Sequence, residues 1–195
     1  MKLVRFVGWS LLAAAAAFAQ DAPELKAKTW EAGIFAGSSY GLDSYRAMGG
    51  ANVGYGVTKV IFPYAEFSYL PGIAREERLS STVINRFSLP ISDFHGGLHL
   101  RVPIPGRVVP YAIIGAGMIH IGSGNGTQET TIDNRVFATP LPIPSSTEFA
   151  VNFGGGARIY IKERWGIRIE AKAYKPTGRF TDVFGRVAGG LFWQF

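Results

Sequence analysis

The chain has 195 residues, with 20 Lys+Arg against 14 Asp+Glu, a formal net charge of +6, 25 glycines, 13% aromatic residues and no cysteine. The lack of cysteine excludes a disulfide framework and a thiolate metal site. A pI of about 9.7 raises the question of nucleic acid, but the basic residues alternate with apolar ones, as in Arg158-Ile159-Tyr160-Ile161-Lys162, and form no basic run.

Lys2 and Arg5 form a short positive start, Phe6 to Phe18 is mostly apolar, and Ala17-Phe18-Ala19 has the small-x-small pattern of a signal-peptidase site. The run is shorter than the roughly 20 residues a spanning helix needs. The expectation is therefore a signal peptide, 1–19, cleaved after Ala19, and one domain from 20 to 195. Export also argues against a nucleic-acid partner. Removing Lys2 and Arg5 leaves 18 Lys+Arg against 14 Asp+Glu, or +4.

Beyond the signal peptide the pattern has a period of two. Eight strands are predicted, at about Thr29–Ser38, Tyr45–Val57, Val60–Leu70, Phe87–Val102, Val108–Gly122, Glu148–Lys162, Trp165–Tyr174 and Thr181–Phe195. The alternation is clearest in Ile167-Arg168-Ile169-Glu170-Ala171-Lys172-Ala173, which no helical face would produce. In the fourth strand Asp93, His95, Gly97, His99 and Arg101 fall on one side, and Phe94, Leu98, Leu100 and Val102 on the other. Tight turns (Thr58-Lys59, Pro103 to Arg107, Glu163-Arg164) alternate with longer connections, of which Pro71–Arg86 and Ser123–Thr147 are read as external loops. An even strand number with short turns at one end is the plan of an outer-membrane barrel. The fold expected is an all-β, eight-stranded, antiparallel up-and-down transmembrane barrel.

A soluble ligand-carrying barrel has the same period with its apolar face inside. Charges within the strands favour the membrane reading, as do aromatics near strand ends: Trp30, Tyr69, Trp165, Tyr174 and Trp193 are the expected interfacial girdles. The chain also ends in Val187-Ala188-Gly189-Gly190-Leu191-Phe192-Trp193-Gln194-Phe195, with Leu191, Trp193 and Phe195 on one face. This ending resembles the signal read by the barrel-assembly machinery. Together with Pro110-Tyr111-Ala112-Ile113-Ile114-Gly115-Ala116-Gly117, it resembles the OmpA-like and OmpX-like small barrels, without their peptidoglycan-binding domain. The resemblance implies an outer-membrane location and two partners, outer-membrane lipid and the assembly machinery.

Candidate chemistry is sparse. Asp93, His95 and His99 share a face, but His95 and His99 would stand about 13 Å apart along an extended strand, and Arg101 opposes a cation; no metal and no cofactor are expected. A lipid A-modifying enzyme needs an activated serine, and the nearest set is His120 and Ser123 with Glu129 or Asp133. A spacing of three puts His120 and Ser123 on opposite faces, so no catalytic site is assigned. What remains is a lumenal charge network of Glu66, Asp93, His99, Arg101, Arg158, Arg168, Glu170, Lys172 and Arg186. It implies a plugged barrel with a structural or surface-interaction role, whose external ligand is unnamed. The alternative is a narrow anion-preferring channel, since five of these residues are cations and three are anions.

Overall fold

The computed structural model describes residues 25–41, 46–133, 135–178 and 183–195, with backbone only at 73–75. The expected signal peptide lies outside the described residues. Ten strands are present: β1 Trp30–Tyr40, β2 Arg46–Tyr55, β3 Ile61–Arg78, β4 Val83–Arg101, β5 Val108–Ile121, β6 Gly124–Ile132, β7 Arg135–Ile143, β8 Ser146–Lys162, β9 Trp165–Pro176 and β10 Phe184–Gln194. Eight of them, β1 to β5 and β8 to β10, pair antiparallel with their neighbours, and the β3–β4 ladder closes the ring into a barrel.

Because side chains alternate along a strand, each barrel strand sends one row outward and one inward. The outward rows carry exposed Ile34, Phe67, Phe94, Ile114, Phe153, Ile169 and Leu191. The inward rows carry the carboxylates and guanidinium groups. A soluble barrel has the reverse arrangement. Leaving a side chain of this size in water forfeits about 1.5–3 kcal/mol, and lipid around the barrel removes that cost. Outer-membrane barrels have their short turns on the periplasmic side, so the end bearing Thr58-Lys59 and Glu163-Arg164 is the periplasmic one.

Two segments expected as external loops are built strand instead. β3 continues past a bulge at Leu70/Ile73 and β4 starts at Val83. Their turn is held by Ser80 Oγ, which accepts the N–H groups of Thr82 (3.2 Å) and Val83 (3.1 Å). Within 123–147 lies the β6–β7 hairpin, whose β6 side pairs with Val83–Arg86 of β4. The Thr131 N–H donates to Thr82, just before β4, so odd-numbered β6 residues face β4 and even-numbered ones face β7. Thr130 stands opposite Phe137, which turns odd β7 residues toward β6 and leaves Pro140 and Pro142 on the unpaired edge. A proline is tolerated there because no ladder hydrogen bond needs its missing N–H.

The interior is layered. At the periplasmic end Leu25, Val109, Tyr160 and Phe192 form an apolar cluster. Lys28 adopts a left-handed φ of 58°, and its N–H donates to Gly56 (2.5 Å), whose own N–H donates to Thr29 (2.8 Å). This turn folds the segment from Leu25 to Thr29 against the barrel mouth. Above it Phe62 and Tyr64 of β3 pack with Tyr111 and Ile113 of β5 inside the barrel, on either side of β4. Glycines make the room: a Cβ on Gly54 would sit 2.2 Å from the Phe62 ring, and one on Gly156 2.7 Å from the Tyr111 hydroxyl. Toward the external end lies a larger apolar cluster that includes Met48, Leu70, Ile91, Ile119 and Phe184, with Phe87 and Ile143 of the external strands packed on it.

Candidate functional site

The charged layer between these apolar ends is the candidate site. All nine residues of the expected network are buried, none more than 4% exposed. Six form one cluster drawn from β3, β4, β9 and β10. Glu66 meets Lys172 at 2.9 Å and Arg186 at 2.5 Å. Glu170 meets Arg186 at 2.7 Å, Lys172 at 3.3 Å and Arg168 at 3.4 Å. Arg168 also reaches Glu66 at 3.8 Å, and Arg186 reaches Asp93 at 3.9 Å. Asp93 further accepts the Ser68 hydroxyl at 3.0 Å and bonds the His95 ring at Nδ1. Tyr111 donates its hydroxyl to Glu170 at 3.2 Å from β5. Three carboxylates thus face three cations, and the cluster is neutral.

Its register explains the convergence. Arg168, Glu170 and Lys172 occupy alternate positions of β9, and Arg186 stands directly opposite Lys172 on β10. Glu66 approaches from β3, across the lumen. An unpaired charge in such surroundings is prohibitively costly; every member of the lattice has an opposite charge within 4 Å, while Arg168 Nη1 and Nη2 and Arg186 Nε and Nη1 lack a hydrogen-bond partner in the protein.

A second, smaller group centres on Arg158, held by Glu31 through Nε and Nη2 at 2.9–3.1 Å. Gln194 donates to Glu31 at 3.0 Å and to the Tyr160 hydroxyl at 2.9 Å. Arg158 donates to His99 Nδ1 at 3.0 Å and lies 4.7 Å over Phe62 and 4.6 Å over Tyr111. Arg101 belongs to neither group: it donates to the Thr58 carbonyl at 2.6 Å and covers the Phe62 ring at 4.8 Å.

Glu31 was missed from sequence, although it is fully buried. The available signal was its place in the row Glu31, Gly33, Phe35, between the exposed Trp30, Ala32 and Ile34. With Glu148, which is also buried, it brings the count among the described residues to five buried cations against five buried anions, which weakens the case for anion preference. Tyr174, expected in a girdle, points inward and is 1% exposed, while Trp30, Tyr69 and Trp193 are exposed as a girdle requires.

Buried polar atoms without a protein partner include His95 Nε2, His99 Nε2, Arg158 Nη1 and the Asn52 amide. Atoms of this kind are where ordered water binds inside proteins. His120 faces outward and bonds Thr147 Oγ1 at 2.9 Å. Among the described residues no group of three or more His, Asp or Glu is placed to hold a metal ion. At the barrel seam Trp30 and Phe195 exchange backbone hydrogen bonds of 3.0 Å, and Leu191, Trp193 and Phe195 face outward.

A closed antiparallel barrel with an apolar exterior and a charged interior defines a membrane-spanning β-barrel. The outer-membrane protein β-barrel domain model matches residues 7–185, and the chain belongs to that family and to the outer membrane. Its fold is similar to the N-terminal barrel of Pseudomonas aeruginosa OprF, with 12% identity over 87% of this chain and 98% of that one, at a TM-score of 0.52. The attachment invasion locus protein Ail of Yersinia pestis gives 15% identity over 87% and 100%, with a TM-score of 0.52. A major outer membrane protein of Thermus thermophilus gives 9% over 87% and 100%, with a TM-score of 0.59. No curated protein sequence matches.

Proposed function

We propose that this protein is a closed-lumen barrel that serves the outer membrane as a structural and surface-interaction element. The observation that carries the reading is the neutral cluster of Glu66, Asp93, Arg168, Glu170, Lys172 and Arg186, whose ion pairs link strands on opposite sides of the lumen. Eight strands leave an interior just wide enough for side chains to fill, and apolar layers lie above and below the cluster.

The function then resides on the external side. There the upper parts of β3 and β4 continue into β6 and β7 as a four-stranded arm. Leu79, Ile132, Val136 and Phe137 near its tips are 53–64% exposed. By the parity argued above, Val136 and Ala138 present backbone N–H and C=O groups to no strand among the described residues, whereas Pro140 and Pro142 guard the rest of that edge. An open edge beside exposed apolar side chains suits contact with another macromolecule. A role in attachment, as the name of Ail states for that protein, fits the same external position.

In this reading the chain is exported by its first 19 residues, cleaved after Ala19, and delivered to the barrel-assembly machinery through Leu191, Trp193 and Phe195. It has no catalytic step and no cofactor, and its outward rows bind outer-membrane lipid. A chain without cysteine makes the topology testable. On intact cells Thr131→Cys should react at once with a membrane-impermeant thiol reagent, and Ser68→Cys, inside the barrel, should resist it. Rapid labelling of Ser68→Cys would mean an open lumen, and a silent Thr131→Cys would remove the external arm.

A further inference from the structure

The periplasmic rim is strongly basic. Among the described residues it carries Lys26, Lys28, Lys59, Arg107, Lys162 and Arg164 against Glu163. The external side has no such excess, since Arg46, Arg78, Arg86, Arg135 and Lys175 stand among Glu76, Glu77, Glu129, Asp133 and Glu148. Arg86 there is already paired with Glu76 (3.3 Å) and Glu129 (3.0 Å).

The rim cations are not displayed on extended loops. Lys59 lies between Val57 and Val60, which are 48% and 41% exposed, and Lys162 follows Ile161, which is 39% exposed. Arg107 closes a turn that presents Val102 (49%) and Ile104 (46%). Lys28 precedes Trp30, whose exposed indole lies 5.0 Å from the Tyr55 ring, and Arg164 precedes Trp165. Exposed aliphatic and aromatic side chains so close to the turns fix them at the membrane–water boundary, where tryptophan and tyrosine gather. The ammonium and guanidinium groups a few residues away at most then stand at the level of the lipid phosphates.

We propose that this rim is a binding collar for anionic phospholipid headgroups of the periplasmic leaflet. The inference rests on the membrane orientation given above. Its chemistry is charge complementarity: phosphate-bearing headgroups with net negative charge meet six cations set around the mouth. Basic residues at a membrane surface attract anionic lipid within a Debye length. Zwitterionic headgroups offer no net attraction. The collar gathers an anionic annulus around the barrel and holds its periplasmic end at a fixed depth.

The test uses the refolded full chain in phosphatidylcholine vesicles containing phosphatidylglycerol. Insertion is checked first by heat-modifiable migration, so a failure of the barrel reading shows itself separately. Association of spin-labelled phosphatidylglycerol relative to spin-labelled phosphatidylcholine is then measured. The wild type should favour the anionic lipid about threefold or more at roughly 0.1 M salt and lose most of that preference at about 1 M. The variant Lys28→Glu, Lys59→Glu, Lys162→Glu, Arg164→Glu should bring the ratio close to one. If it fails to insert, the corresponding glutamine variant serves. A wild-type ratio near one overturns the proposal. So does a preference unchanged in the variant, which would move the lipid contact to the external cations. Capture by acidic cell-wall fragments without any lipid preference would likewise overturn it, in favour of the cell wall.

Discussion

Glu66 neutralises two cations at hydrogen-bond distance and lies within 4 Å of a third. Removing one partner of a buried pair costs about 3–5 kcal/mol, because the other charge is left without compensation. Glu66→Ala should therefore lower the unfolding free energy in lipid by about 3–5 kcal/mol in urea titrations. Arg86→Ala breaks ion pairs at an exposed site and should change it by less than about 1 kcal/mol. Equal effects of the two would mean that the interior lattice adds no stability. At this scale the sequence was legible wherever one strand held the whole signal, as with Arg168, Glu170 and Lys172 between Ile167, Ile169 and Ala171. The partner of Arg158 was not legible, because Glu31 lies 127 residues away and only barrel closure brings them together. Tyr174 could have been placed inside by its even parity with Lys172. The general tendency of aromatics to sit at interfaces outweighed that local evidence.

Among the elements, β9 states the two-faced pattern most clearly. Ile169 faces outward at 51% exposure, between the buried Arg168 and Glu170. Ile169→Arg should cost about 2–4 kcal/mol of stability in bilayers. Val136→Arg, on the external arm, should be nearly neutral, and urea unfolding of both variants separates lipid-facing from water-facing surface. If Ile169→Arg folded into bilayers like the wild type, the assigned faces would be reversed. The β6–β7 hairpin depends differently on the rest: it joins the barrel through Val83–Arg86 of β4 and through Ile143 over the external apolar cluster. Excision of 124–143 should leave a membrane-inserted, heat-modifiable barrel. Loss of insertion would show instead that the hairpin is needed to complete the fold. This hairpin is where sequence and structure diverge most. The segment 123–147 was read as a long connection, and only the hydrogen-bond parity of an edge strand reconciles Pro140 and Pro142 with a ladder.

For the whole molecule, closure joins Trp30 to Phe195 by two backbone hydrogen bonds. Deleting Phe195 removes both, together with an outward aromatic of the proposed assembly signal. The deletion should leave periplasmic, protease-sensitive protein. Normal fractionation with the outer membrane would contradict that role. The barrel as a unit was legible because eight alternating segments with unequal connections have few other solutions. The filling of its lumen was only half legible. The charged layer followed from parity, whereas the apolar layers around Ile91 and Ile119 and around Leu25 come from residues that read equally well as lipid-facing.

Planar-bilayer conductance of the refolded wild-type protein shows whether a neutral lattice between apolar layers closes the lumen. A lumen filled in this way should give a closed state with rare, small and brief openings. The balance of five buried cations and five buried anions among the described residues allows at most a weak charge preference, and Glu170→Ala should make openings more frequent. A large, stable conductance in the wild-type protein would contradict a closed lumen and make the barrel a channel.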